Sequence, residues 1–202
     1  MLDLYKAKEV LKEIINEHGK PGFQNEAQTR FHVIDMLLKQ CFCWENHIEV
    51  EKHEENNGFT DYELGKPRKL ILEAKREGVI FEIPAGLTKT LKISIRSLLE
   101  QRGELQKAIE QVQLYCSKRG VPLAVITNGH QFIAFLASRT DGKNIADGDA
   151  IVFTSLQHMY DNFADAWNYL SKPGVEENRL FRFLTSGDIK LPKKLSSTLV
   201  DY

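Results

Sequence analysis

Apolar positions along the chain change period several times, and each change marks an element. Between Tyr5 and His18, Ala7, Val10, Leu11, Ile14 and Ile15 recur at helical spacing, and Gly19 with Pro21-Gly22 ends the run. Asn25 is placed to cap a second helix reaching about Gln40, with Ala27, Phe31, Ile34, Leu38 and Cys41 as its buried stripe. Glu26 and Arg30 stand four apart on that helix, within side-chain reach of each other. The period then shortens to two. Trp44 to Glu51 alternates around Ile48 and Val50 and predicts a strand, and Glu54 to Gly58 a loop. Thr60 to Leu64 alternates again, Gly65-Lys66-Pro67 turns the chain, and Leu70-Ile71-Leu72 runs into Glu73-Ala74-Lys75.

The segment from Gly78 to Ile95 is broken by Pro84 and Gly86, yet Leu91, Ile93 and Ile95 alternate, which fits an added hairpin or a flap. Ser97 to Lys118 predicts a long helix packed through Leu98, Leu105, Ala108, Ile109, Val112, Tyr115 and Cys116, stopped by Gly120. Leu123 to Thr127 and Gln131 to Ala137 flank an Asn128-Gly129 turn, the strongest short hairpin signal in the chain. Asp141 to Asn144 is another turn and Ile151 to Phe153 a further strand. Ser155 caps a helix bearing Leu156, Met159, Tyr160, Phe163 and Trp167, closed by Pro173-Gly174. From Val175 the pattern thins. The predicted fold is an α/β domain with a central mixed β-sheet flanked by helices, in residues 1–172, followed by an extension or linker in 173–202.

Composition changes this picture little. The 202 residues suffice for one hydrophobic core, and 42% hydrophobic with 27% charged residues is an ordinary globular balance. No apolar run is long enough for a transmembrane helix, the first twelve residues lack the core of a signal peptide, and no membrane association is expected. Three cysteines, Cys41, Cys43 and Cys116, make no disulfide framework and fit a reducing cytoplasm. Their spacing, with His47 nearby, is not that of a zinc site. A net charge of −1 excludes a globally basic nucleic-acid binder. Local basic runs remain at Lys66 to Lys69, Lys75-Arg76, Lys89 to Arg96 and Lys118-Arg119, each read alone as solvated surface. There is no Gly-rich phosphate loop and hence no ATPase. No Ser/His/Asp set stands out, and His32, His47, His53, His130 and His158 show no metal-binding spacing.

The chemistry concentrates at one place. In a strand, positions i and i+2 share a face, so Glu73 and Lys75 project together from the end of an apolar strand. If the strand holding Asp61 pairs with it, the two carboxylates converge beside an amine. That combination can hold a divalent cation and assist attack of water on a phosphate. Taken alone, Glu73-x-Lys75 reads as a surface ion pair at a strand end.

With Asn25-Glu26-Ala27-Gln28-Thr29-Arg30, Ile34-Asp35, Asp61, Glu73-Ala74-Lys75 and Gln111-x-x-x-Tyr115 in this order, the chain resembles the PD-(D/E)XK nuclease superfamily. Within it, the pattern is similar to the N-terminal nuclease domain of type I restriction enzyme motor subunits, down to Thr127-Asn128-Gly129 after an apolar strand. The resemblance spans roughly residues 1 to 170. Thr60 stands where the fold's name has proline, and the segment after Lys75 is longer than the family pattern. The resemblance implies a restriction-endonuclease-like core and a Mg²⁺-dependent endonuclease acting on DNA in restriction or anti-phage defence, with Mn²⁺ able to substitute. It further implies Asp61, Glu73 and the Ala74 carbonyl as metal ligands, and Glu26 as a ligand through water, oriented by Arg30. Lys75 would hold the attacking water, and Gln111 and Tyr115 would orient the scissile strand or brace Lys75. The implied partners are DNA and a helicase/ATPase or specificity subunit. A non-catalytic nucleic-acid-binding or assembly module that keeps the fold is the alternative.

Overall fold

The computed structural model describes residues 4–20, 22, 25–54, 58–84, 91–101 and 103–186, with the side chains of 51–54 and 58–60 left aside. Seven strands form one sheet in the order β1-β2-β3-β5-β6-β7-β4. They are β1 (Ile48–Glu54), β2 (Gly58–Leu64), β3 (Leu70–Ala74), β4 (Lys92–Ser94), β5 (Leu123–Thr127), β6 (Phe132–Leu136) and β7 (Asp149–Phe153). β3 pairs with β5 in parallel, and every other pairing is antiparallel. The sheet is thus mixed and flanked by helices on both faces, an α/β arrangement compatible with a restriction-endonuclease-like core.

Strand alternation sorts the apolar residues into two cores. Leu70, Leu72, Leu123, Val125, Phe132, Ala134, Ile151 and Phe153 face one side. There they meet α1 (Leu4–His18), α2 (Glu26–Thr29) with its continuation, and the C-terminal helices α5 (Leu156–Asp161), α6 (Phe163–Leu170), α7 (Lys172–Glu176) and α8 (Arg179–Thr185). Ile71, Ala124, Ile126, Ile133, Phe135, Ala150 and Val152 face the other side, under α3 (Ile95–Leu99) and α4 (Gly103–Arg119). The central strands are buried on both faces, which is why they read as unbroken apolar runs.

Several boundaries differ from the sequence reading, each for a local reason. Asn25 does cap α2, its side chain accepting from the Gln28 N–H at 2.9 Å. Beyond Thr29 the helix continues through two π-helical segments, Arg30–Ile34 and Leu37–Cys41. Ile34, Leu38 and Cys41 of the expected stripe are buried, but the wider turn also brings Thr29, Val33 and Leu37 inward and leaves Phe31 69% exposed and Ala27 on the surface. Trp44 precedes β1 and buries its indole, donating to the Leu170 carbonyl at 2.9 Å. The predicted long helix is two, because Gly103 adopts φ +74° between α3 and α4. In the 78–95 segment the alternating residues form β4, which adds to the β7 edge at the far side of the sheet rather than folding as a hairpin by itself. Residues 85–90 lie outside the described residues.

Pro173-Gly174 opens a helix instead of closing one. Ser171 caps α7 and accepts from the Gly174 N–H, and proline fits the first turn because its missing N–H is not needed there. Val175, Leu180 and Leu184 are buried in the same core as α1, so the described chain continues through the expected boundary at 172. Residues 187–202 of the expected extension lie outside the described residues. Among the described residues no helix is long and apolar enough to cross a membrane.

Candidate active site

The hairpin register decides where the carboxylates go. Tyr62 pairs with Leu72 and Leu64 with Leu70, so one step further Asp61 stands opposite Glu73. Both belong to the strand positions that face the α4 side. Asp61 is fixed by the Ala74 backbone N–H, which donates to its Oδ2 at 2.7 Å. On its other oxygen, Arg30 of the first π-helical segment approaches Oδ1 at 3.4 Å. Arg30 also donates to the Tyr62 hydroxyl at 3.3 Å and lies over that ring, 4.9 Å from its centre. The Tyr62 hydroxyl in turn donates to Asp35 at 2.7 Å. Burial, aided by Asp35, pushes the phenol pKa up, so Tyr62 remains a neutral donor.

Glu73 is 2% exposed. Its Oε1 accepts from Lys75 Nζ at 2.7 Å, whereas its Oε2 is buried with no hydrogen-bond partner. Burial first, and then the Asp61 carboxylate, raises its pKa to about 7 against the pull of Lys75; the charge of Glu26 adds to the rise. Lys75 is shifted upward as well, which for an amine favours the charged form. Burial alone would lower it, but Glu73, Asp61 and Glu26 together raise its pKa, so it is an ammonium at neutral pH. Lys75 Nζ also donates to Gln111 Oε1 at 3.1 Å, and Gln111 Nε2 donates to the buried Tyr115 hydroxyl at 3.2 Å. The four-residue spacing on α4 puts Gln111 and Tyr115 on the face that meets β3.

The structure therefore links Glu73, Lys75, Gln111 and Tyr115 in one chain of hydrogen bonds, places Asp61 opposite Glu73, and sets Asp61 and Glu26 near enough to bear on the charges of Glu73 and Lys75. Arg30, four residues from Glu26, contacts Asp61. The unpartnered Glu73 Oε2, two carboxylates that disfavour each other's charge, and an all-oxygen donor set suit a hard divalent cation. Among the described residues no group of three or more His, Cys, Asp or Glu side chains is arranged to hold a metal ion, so these side chains supply two close carboxylates rather than a full cage.

A second network, read as bland in the sequence, braces the first. Glu77 is buried, and its carboxylate accepts from the Gly22 N–H at 2.7 Å and meets His130 Nε2 at 2.7 Å. Thr29 Oγ1 accepts from the Glu77 N–H at 3.4 Å and donates to the Asn25 carbonyl at 3.2 Å. Asn128 ties the β5–β6 turn to the chain after Lys75 by donating to the Val79 carbonyl at 2.9 Å. A side chain at Gly129, where φ is +88°, would collide with Thr29. The segment bearing Glu26, the segment following Lys75 and the Asn128-Gly129 turn are thus locked together. The available signal was Glu77, two residues beyond Lys75, and a histidine directly after the turn.

No protein-family model matches this chain, and no curated protein does. One solved structure is similar to it: a fragment of a protein described as an HsdR subunit of a type I restriction enzyme from Vibrio vulnificus YJ016. The two are 16% identical with a TM-score of 0.38, over 70% of this chain and 26% of the other. This chain therefore covers about a quarter of that neighbour's length.

Proposed function

We propose that this chain is a metal-dependent nuclease domain that hydrolyses phosphodiester bonds, with DNA as substrate. The observation that carries the reading is the meeting of Asp61 and Glu73 across one hairpin register, with Lys75 hydrogen-bonded beside them. Asp61, Glu73 through Oε2, the Ala74 carbonyl and, through water, Glu26 would hold Mg²⁺ or Mn²⁺. When bound, the ion lowers the pKa of water and offsets charge building on the phosphate.

The chain's own residues do the rest. Arg30 and the Ala74 N–H fix the Asp61 carboxylate, so it need not reorganise when a cation arrives. Lys75, kept protonated by its acidic neighbours, acts as a donor and positive charge toward the water and the non-bridging phosphate oxygens, not as the base. Gln111, itself held by Tyr115, limits the directions in which the ammonium can point. The Glu77–His130 network holds Glu26 and Lys75 at a fixed separation.

Restriction or anti-phage defence, a helicase/ATPase or specificity partner, and a cytoplasmic location complete the reading. A second reading has a specific observation behind it. Lys75 on Glu73 and a backbone N–H on Asp61 already satisfy part of the acidic pair, as in a module that keeps the fold without cutting. The test is cleavage of supercoiled plasmid by the wild type and by Asp61→Ala, Glu73→Ala and Lys75→Ala with Mg²⁺ or Mn²⁺. The expected result is cutting by the wild type and a loss of at least about 100-fold in each variant. Equal cutting by all four, or none by the wild type together with no Asp61-dependent Mn²⁺ binding in calorimetry, would sink the nuclease reading.

A further inference from the structure

Two basic runs that are far apart in sequence meet at the opposite end of the β2–β3 hairpin. Arg68, from the turn, and Arg119, from the last turn of α4, both engage the buried carboxylate of Glu63. Arg119 Nε lies 3.1 Å from its Oε1, and Arg68 Nε contacts its Oε2. Glu63 is 1% exposed. Both arginines, with Lys66, Gly65, Pro67, Gly120 and Val121, line an open cavity of about 450 Å³. Glu49 is the carboxylate on its wall. One guanidinium would neutralise Glu63. Two guanidinium groups and the exposed Lys66 ammonium, against Glu63 and Glu49, leave the cavity cationic. Both arginines are ion-paired with a buried anchor, so their charges are placed before any ligand arrives, and Arg suits phosphate oxygens. The glycine in the turn is required: Gly65 has φ +98°, and a Cβ there would lie 2.9 Å from the Pro67 carbonyl oxygen.

We infer that this cavity is a second anion site, which takes a phosphate of the nucleic-acid backbone flanking the point of cleavage. The assignment of the ligand to nucleic acid rests on the nuclease reading above; the shared chemistry is a phosphate group. The placement fits. Glu63 is two residues from Asp61 on the same strand face. Arg119 is eight residues from Gln111 along α4, on the order of 12 Å at helical rise. That span corresponds to roughly three or four phosphates along one strand. The contact would carry register and affinity but no sequence information.

The experiment is fluorescence anisotropy of a labelled 30-base-pair duplex with the full chain in EDTA, where nothing is cut, across a salt series. Variants are Lys66→Glu, which touches no buried group, and Arg68→Ala, with circular dichroism to confirm folding. Lys66→Glu is expected to weaken duplex binding about tenfold and to flatten the salt slope by roughly one phosphate contact. Inorganic phosphate and AMP, titrated in calorimetry, form the second arm. Loss of AMP or phosphate binding in Lys66→Glu with unchanged duplex binding would overturn the backbone assignment in favour of a free phosphate ligand. Unchanged binding of every probe in a folded Lys66→Glu protein would overturn the site itself. Neither result bears on plasmid cleavage by the Asp61, Glu73 and Lys75 set, so failure of this site and failure of the nuclease reading are read separately.

Discussion

Glu63 and Glu73 are both buried glutamates on one face of the β2–β3 hairpin, and they have opposite surroundings. Glu63 sits between two guanidinium groups. Glu73 has one ammonium on one oxygen, a neighbouring carboxylate, and a second oxygen with no partner. A carboxylate wrapped in cations is a strut: its desolvation is compensated inside the fold. A carboxylate facing another carboxylate is left electrostatically unsatisfied, and the compensation has to come from outside. The same residue type, two register steps apart in pairing, is enclosed by cations at one end of the hairpin and keeps an unpartnered oxygen beside a second carboxylate at the other.

That contrast breaks most sharply under mutation. Glu63→Ala should destabilise the protein by about 3–5 kcal/mol in urea denaturation, because it leaves two guanidinium groups without their buried anion. Glu73→Gln, although predicted to abolish cutting, should cost almost nothing and at pH 8 should stabilise the metal-free protein slightly. A loss at Glu73→Gln as large as at Glu63→Ala would erase the distinction.

The pH dependence sharpens it. With its folded pKa raised from 4.5 to about 7, Glu73 binds more protons in the folded than in the unfolded state. Its contribution to stability is therefore complete below pH 4.5 and is lost as pH rises through 7 in the absence of metal. A bound divalent cation needs the carboxylate, so the Mg²⁺-induced rise in melting temperature should be larger at pH 8 than at pH 6. Affinity should gain about tenfold in total between pH 6 and pH 8. A thermal shift independent of pH, or equal in Glu73→Gln, would place the cation elsewhere.

The smallest effect is expected at Tyr115→Phe, which removes only the hydroxyl that receives Gln111. A stability change of about 0.5–1.5 kcal/mol is expected. The drop in kcat should be a few-fold, with KM unchanged, because the hydroxyl acts on Lys75 through Gln111 and touches no substrate.

Much of this was legible beforehand. The Asp61–Glu73 meeting followed from alternation plus a glycine-proline turn, since a hairpin register is a local property. Asn25 and Ser155 as caps, and the Asn128-Gly129 turn, were equally local. The α2 stripe was legible only in part: Ile34, Leu38 and Cys41 are buried as expected, whereas Ala27 and Phe31 are not, because π-helical turns are selected by what the helix packs against. The contact of Arg30 with Asp61 was not legible, since it depends on the tilt of the helix on the sheet. Pro173 misled because proline serves both to stop a helix and to start one, and the break at Gly103 inside an otherwise periodic run went unread.

By itself the amino-acid order determined the strands, their pleat and the turn between β2 and β3, and with them which carboxylates share a face; these depend on interactions between residues close along the chain. Only the tertiary structure decided what each carboxylate feels. The charge of Glu73, the anchoring of Arg68 and Arg119 on Glu63, and the lock between Glu77 and His130 come from groups 5 to 56 residues apart. Electrostatic energy depends on distance and burial in space, and neither is written in the spacing of the sequence.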